Sequence, residues 1–363
     1  MRVAIVHDYF NKKGGGERLV LNLAEAFDAD IITGFVDLNK TYDIGNYRVQ
    51  GLSKPINNPI LKIITLHNKF KKLRLKGYDA VILSGTTCLA AAEHNHPNIW
   101  YCNTPVRHLY SQKDWFRKQI SPLQRIVLKI FHLWLKPIDQ RNVRHVDKIV
   151  CNSENIKDRI RRFYGETFYK NATVIYPPVN TNKFEQKGQK DFYLSFGRLD
   201  KLKRIPLIVE AFQDMPDKKL VVVSGGPELK NIKRKTRNHK NIDIKGYVSQ
   251  KELEELIGSC IATIYIPIDE DFGMSPVEGM TVGKPCIGVD EGGLKETILH
   301  KKTGYLCNRD IKKDDLIQAV RWMNETQAKK MRQECISEAQ RFHQEGFRKK
   351  MQKEIQMVVK SGI

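Results

Sequence analysis

Acidic side chains are in short supply. The 363 residues carry 41 Asp and Glu against 62 Lys and Arg, a formal net charge of +21. That balance excludes an acidic, solvating chain and favours negatively charged partners: nucleic acid, an anionic membrane or phosphate-bearing ligands. Cysteine is sparse and unpatterned, with seven residues and no C-x-x-C pair. Such usage argues against a disulfide scaffold or a zinc site and fits reduced thiols in a cytoplasmic protein. No apolar run reaches the roughly 18–20 residues that span a bilayer. No secretory leader is expected, since Met1-Arg2 leads at once into VAIVHDYF. Solenoid-period repeats are missing. So is G-x-G-x-x-G, which weakens a nicotinamide-cofactor reading.

What is present is a two-part α/β pattern. At 41% hydrophobic and 28% charged residues the chain is globular, and its length suits two domains. Strand-like runs fall at 3–6, 30–33, 80–83, 98–102, 148–151 and 172–176, with helical stretches such as ERLVLNLAEAF (17–27) between them. A second series follows at 192–196, 220–225, 242–246, 262–266 and 285–289. This alternation indicates parallel, doubly wound, Rossmann-like sheets. The Pro-rich, aperiodic segment YPPVNTNKFEQKGQK (176–190) marks a boundary, giving domains 1–178 and 188–344. FRKKMQKEIQMVV (347–359) reads as an amphipathic helix within a terminal segment, 345–363, expected to pack back on the first domain.

In such folds ligands sit beyond the carboxyl ends of the strands. The loop after the first strand, HDYFNKKGGGER, places Gly14-Gly15-Gly16 before a helix, as a tight turn or an anion-facing backbone. FGRLDKLKR offers Arg198, Lys203 and Arg204, a fork and point charges suited to a diphosphate. Gly225-Gly226 and Gly292-Gly293 form neighbouring turns. In EDFGMSPVEGMTVGKPCIG, Glu270 ends a strand and Glu278 lies on the short helix that follows. Carboxylates accept hydrogen bonds from vicinal hydroxyls, so cations with carboxylates in one crevice suit a nucleotide-sugar.

Here the chain resembles the glycosyltransferases of family 4. Glu270 to Glu278 spells the family's E-x7-E signature, supported in order by FGRLDKLKR, VVVSGGPEL, NIDIKGYVSQKEL, VDEGGLKETI and KTGYL. The resemblance implies a GT-B fold, with two Rossmann-like domains facing a cleft, the first binding acceptor and the second donor. HDYFNKKGGGER and YCNTPVRHLY most resemble mannosyltransferases of surface-glycan (O-antigen type) biosynthesis. The activity implied is retaining transfer of a hexose, with mannose from GDP-mannose as the expected donor, to a lipid-linked or oligosaccharide acceptor. A UDP-sugar-dependent transferase or a nucleotide-sugar epimerase of the same fold is the alternative. A basic nucleic-acid-binding protein is the alternative of another class, though no binding signature or aromatic platform accompanies the basic runs.

Carried over residue by residue, the resemblance gives Arg198 and Lys203 to the donor diphosphate and Glu270 to the transferred sugar. Backbone N–H groups of Phe272, Gly273 and Met274 lie nearby, with Gly226 in an adjacent turn. Glu278 would hold the ribose, Tyr247 and Val248 would meet the base, and Gly15 and Gly16 would approach from the first domain. Asp271 replaces the family's usual proline, and Asn103 stands where members often carry histidine. His7, Asn103 and His108 therefore remain alternative candidates for the reacting centre. No metal or other cofactor is expected: although Asp269-Glu270-Asp271 spells Asp-x-Asp, Arg and Lys can neutralise the leaving group, and the nucleotide-sugar is a substrate.

The basic charge then has a use. KFKKLRLK (69–76) is expected to meet an anionic membrane, placing the protein peripherally at the inner face of the cell membrane. LQRIVLKIFHLWLK (123–136) sets Arg125, Lys129, His132 and Lys136 on one helical face and apolar residues on the other, which is expected to pack on the core.

Overall fold

The computed structural model describes residues 1–180 and 185–362. The chain divides into two compact units, Met1–Pro177 with Phe347–Ile363, and Pro178–Gly346. Residues 181–184, inside the expected boundary segment, and Ile363, at the end of the expected terminal segment, lie outside the described residues.

Unit 1 holds a seven-stranded parallel sheet in the order β3-β2-β1-β4-β5-β6-β7. Its strands are β1 (Val3–His7), β2 (Asp30–Thr33), β3 (Val49–Gly51), β4 (Ala80–Ser84), β5 (Asn98–Cys102), β6 (Lys148–Cys151) and β7 (Ala172–Val174). The central strands are buried on both faces, which is why they read as unbroken apolar runs. On one face Ala4, Val6, Leu83 and Trp100 pack with Leu66 and Phe70 of the Pro59–Lys71 helix. On the other, Ile5, Ile82 and Tyr101 meet Leu19 and Leu23 of the Gly15–Phe27 helix. Phe347, Met351, Ile355 and Val358 of the Gln344–Ser361 helix close the same face. Trp100 is fully buried and donates Nε1–H to the Gly85 carbonyl at 2.9 Å. Truncating such a residue to alanine costs about 3–5 kcal/mol.

Unit 2 repeats the winding with six parallel strands ordered β10-β9-β8-β11-β12-β13. They are β8 (Tyr193–Phe196), β9 (Leu220–Val223), β10 (Ile242–Gly246), β11 (Thr263–Ile264), β12 (Cys286–Val289) and β13 (Gly304–Cys307). In both sheets the strand order reverses beside the first strand, between β1 and β4 and between β8 and β11. Such reversals open the crevices in which α/β sheets bind ligands. All seven cysteines are free and buried, and no helix among the described residues is long and apolar enough to cross a membrane.

One expectation is overturned. The Pro122–Val143 helix starts with Pro122 behind a capping box of Ser121 and Gln124, a device worth about 1 kcal/mol. Its early apolar residues do not pack on the core. Leu123, Ile126, Val127, Ile130, Leu133 and Trp134 are all exposed, Leu123 at 72%. Phe131 and Leu135 turn inward instead, and His132, assigned from sequence to the solvated basic face, is buried against His108. Helical periodicity shows that an apolar stripe exists but does not show what covers it.

Candidate active site

In unit 2 the loops after β8, β9, β10 and β11 converge, and short contacts between main chains fix them. The β8 loop runs into a 3-10 turn, Lys201–Lys203, capped by the Asp200 side chain, which accepts from Lys203 N–H. Gly226, at φ +156°, sits against it, and a Cβ there would lie 2.3 Å from the Leu199 carbonyl oxygen. Ser224 N–H donates to the Gly246 carbonyl at 2.7 Å, tying the β9 turn to the end of β10. Tyr247 lies over Gly225, where an added Cβ would be 2.1 Å from the tyrosine ring. Its ring is otherwise 82% exposed, and Val248 packs on the unit 2 core.

The β11 loop carries the acids. Ile268 N–H donates to the Leu202 carbonyl at 2.8 Å, bringing this loop against the β8 turn. Asp269 turns the chain at φ 54°. Gly293 N–H then holds the Glu270 carbonyl at 3.0 Å, so the Gly292-Gly293 turn braces the glutamate's backbone. Phe272 is buried against Phe342. Gly273, at φ +93°, leads into the Met274–Met280 helix, and a Cβ on it would strike Leu294 at 2.5 Å. Glu278 lies on that helix and is buried, 7% exposed.

Across the β8–β11 reversal, Lys203 Nζ donates to Glu270 Oε2 at 2.6 Å. Tyr265, just beyond β11, donates its hydroxyl to the same Glu270 oxygen at 2.9 Å and accepts from Lys203. Burial works against the Lys203 ammonium, but the Tyr265 and Glu270 oxygens more than offset it, and its pKa is raised. Burial and the Glu270 carboxylate push the Tyr265 phenol up. At neutral pH the cluster is therefore an ammonium, a protonated phenol and the acid they share. Sequence reasoning missed Tyr265, which reads as another core aromatic of the ATIYI strand; only its hydroxyl contact reveals it.

The other expected cations part ways. Arg198 is exposed, its guanidinium 3.7 Å from Asp200 on its own loop. Arg204 turns inward and donates to the Arg309 carbonyl at 3.1 Å, so it does not present its fork to a ligand.

In unit 1 the candidates occupy the corresponding edge of the sheet but not one place. His7 Nδ1 contacts the Ser84 carbonyl at 2.5 Å, at the β1–β4 reversal, and the ring is buried beside Phe10. Gly15 and Gly16 open the first helix, and a Cβ on Gly16 would come 3.8 Å from Asn103 Nδ2. His108 is elsewhere, with Nδ1 3.0 Å from His132 Nε2. Burial, then His132, pull its pKa down to about 4. Among the described residues no group of three or more His, Cys, Asp or Glu could hold a metal ion.

Comparison with known proteins agrees with this fold. The family described as Glycosyl transferases group 1 matches residues 179–342, and Glycosyltransferase Family 4 matches residues 13–183. The chain has the GT-B fold, and a glycosyltransferase family model matches each of its two halves. It is related to family 4, and its relatives spread across several sugar-nucleotide transferases. The alpha-1,3/1,6-mannosyltransferase ALG2 of Dictyostelium discoideum is 26% identical over 283 residues, 65% of this chain and 64% of that protein. The chain spans 49% of the mouse and 56% of the human ALG2. Anabaena HepE in complex with UDP-glucose superposes with a TM-score of 0.74 at 15% identity, covering 98% of this chain and 99% of that one. The lipopolysaccharide outer core galactosyltransferase WaaB gives 0.69 at 16% identity, covering 97% and 98%.

Two expectations change. The relatives do not single out O-antigen mannosyltransferases. The GDP-mannose donor is also overturned, because the matching HepE structures are complexes with UDP and with UDP-glucose.

Proposed function

We propose that this chain transfers a hexose from a UDP-sugar, with retention at the anomeric carbon, to a lipid-linked or oligosaccharide acceptor. The observation that carries the reading is the Lys203–Tyr265–Glu270 cluster at the strand reversal of unit 2, in a fold shared with a UDP-glucose complex. Breaking the anomeric C–O bond leaves charge on the diphosphate. Lys203, held as an ammonium, and Arg198, exposed on its loop, would stabilise that charge. Such preorganised electrostatics are usually the largest catalytic contribution. Glu270 would receive hydroxyls of the sugar, its backbone set by Gly293 and its carboxylate oriented by Tyr265. Amides of Phe272, Gly273 and Met274 follow on the same loop. Glu278 would accept from the ribose diol, Tyr247 and Val248 would flank the uracil, and the Gly226 turn would border the diphosphate. On unit 1, Gly15 and Gly16 open the first helix with Asn103 beside Gly16, and their backbone amides, free of a side-chain cap, would suit an anion. The donor is a substrate, and the cluster supplies its own cation in place of a metal.

The exposed stripe of the Pro122–Val143 helix supports a peripheral role at an anionic membrane, at its cytoplasmic face. Its large apolar side chains lie beside Arg125, Lys129 and Lys136, all exposed. Each basic residue near such a surface contributes about 1 kcal/mol. The KFKKLRLK segment supports this less, since Lys69 already donates to the Leu52 carbonyl and Arg74 to those of Lys71 and Leu73.

Calorimetric titration with UDP, GDP and their hexose conjugates tests the donor reading. UDP should bind, and Glu278→Ala should weaken it roughly tenfold or more as the diol loses a buried acceptor. A wild-type chain that binds GDP and not UDP, or a Glu278→Ala variant with wild-type affinity, overturns the assignment.

A further inference from the structure

The inward half of the Pro122–Val143 helix holds a group that the donor chemistry does not use. Asp139 is 3% exposed. Its Oδ2 accepts the Tyr110 hydroxyl at 2.6 Å and the Tyr164 hydroxyl at 2.9 Å. Its Oδ1 is buried without a hydrogen-bond partner. A buried carboxylate oxygen left in that state costs free energy, and native chains pair such atoms unless a ligand or water completes them.

Asp139 lines a cavity of 40 Å³ shared with His67, Thr86, Thr87, His108 and Asn142. That volume admits about three or four waters, or one hydroxyl-bearing arm of a larger molecule, by the roughly 10–15 Å³ that one water needs. Thr86 and Thr87 follow β4 and His108 follows β5, so the cavity lies at the carboxyl ends of the strands, where this class of sheet receives ligands. Ile63 and Val106 give it apolar walls. The lining excludes an anion: one carboxylate faces inward, and both imidazoles are held toward the neutral form, by burial foremost. A neutral hydroxyl donor fits, with its carbon against Ile63 and Val106.

We propose that this cavity receives one hydroxyl-bearing arm of the carbohydrate part of the acceptor on unit 1, with Asp139 Oδ1 accepting from that hydroxyl. The assignment of the sugar as acceptor rests on the glycosyltransferase reading. The same helix carries the exposed stripe, and Ile130 precedes Asp139 by nine residues, roughly 14 Å along the axis at 1.5 Å per residue. A lipid lying along the stripe would hold its first sugar within reach of the cavity.

The test uses the full chain and simple probes, methyl α- and β-glucopyranosides and methyl α- and β-galactopyranosides, by saturation-transfer NMR at millimolar concentration. Wild type should saturate at least one of the four. Asp139→Asn, nearly isosteric, should lower that signal at least fivefold, and Ile63→Phe, which fills the cavity and spares its polar groups, should do the same. Thermal melting and UDP calorimetry on each variant show that it is folded. Absence of saturation transfer with all four probes in wild type overturns the proposal. So does a wild-type signal in either folded variant. A wild-type chain that binds a glycoside in this cavity but neither UDP nor GDP keeps the subsite and removes the glycosyltransferase reading instead.

Discussion

Asp139 makes the stability of unit 1 depend on pH in a direction opposite to most carboxylates. Burial pushes its carboxyl up from 3.8 to about 6, against the hydrogen bonds from Tyr110 and Tyr164. The folded chain therefore holds this proton more tightly than the unfolded chain does. Below about pH 4 both states are protonated and the group contributes nothing. As pH rises from about 4 to 6 the unfolded state ionises freely and the folded state resists, so stability is lost across that window. Two pH units correspond to roughly 3 kcal/mol at 1.36 kcal/mol each. Asp139→Asn keeps the shape and an acceptor for the tyrosines without the charge. At pH 8 the variant should be more stable by up to about 3 kcal/mol, raising the melting temperature at roughly 2–4 °C per kcal/mol. At pH 4 the two proteins should melt together. His108 and His67, with Lys71, Arg141 and Glu93 around them, titrate in both chains and cancel in the difference. Differential scanning calorimetry across pH 4–8 measures it. A constant difference at all pH values, or a variant less stable at pH 8, refutes the reasoning.

Removing the leaving-group cations should depress turnover without unfolding the chain. Lys203→Ala and Arg198→Ala are each expected to lose roughly 100- to 1,000-fold in sugar transfer, the scale of one lost oxyanion donor; wild-type rates in either would remove it from the mechanism. Binding to vesicles containing anionic lipid should weaken steeply with salt, since the attraction decays over about 8 Å at physiological ionic strength. Replacing Ile126, Ile130 and Trp134 with Ser should abolish most sedimentation with such vesicles, whereas Lys71→Gln and Lys72→Gln should reduce it less. Equal pelleting of the triple variant and wild type would leave the stripe without a lipid role.

The sheets were legible because strands buried on both faces must be apolar throughout. VAIV, AVIL and LVVV announce themselves for that reason. β3, with the sequence VQG and two exposed residues at a sheet edge, carries no such signal. β13, GYLC, is marked in the sequence only by the KTGYL motif. The two glutamates and Lys203 could be placed because the rule about strand ends selects their loops before any contact is known. Tyr265 and Asp139 could not. A tyrosine in a strand and an aspartate late in an amphipathic helix have ordinary explanations from sequence, and only burial and partner geometry separate them from those. The exposed stripe was misassigned on the same ground. Periodicity reports the chemistry of a helical face, while its neighbour is chosen by the rest of the fold.

The return of the Gln344–Ser361 helix to unit 1 has a consequence for how the protein is made. Unit 2 is an insertion: the chain leaves unit 1 after Pro177 and re-enters at Phe347. Translation must therefore traverse all of unit 2 before the helix that supplies Phe347, Met351, Ile355 and Val358 to the unit 1 core exists. Until then the face around Ile5, Ile82 and Tyr101 is incomplete, while unit 2 already has every strand it needs. The core of unit 1 is thus completed only after every strand of unit 2 has been made. Translation stopped at Phe347 would yield a whole unit 2 joined to a unit 1 with an open apolar face, a ready substrate for chaperones and proteases.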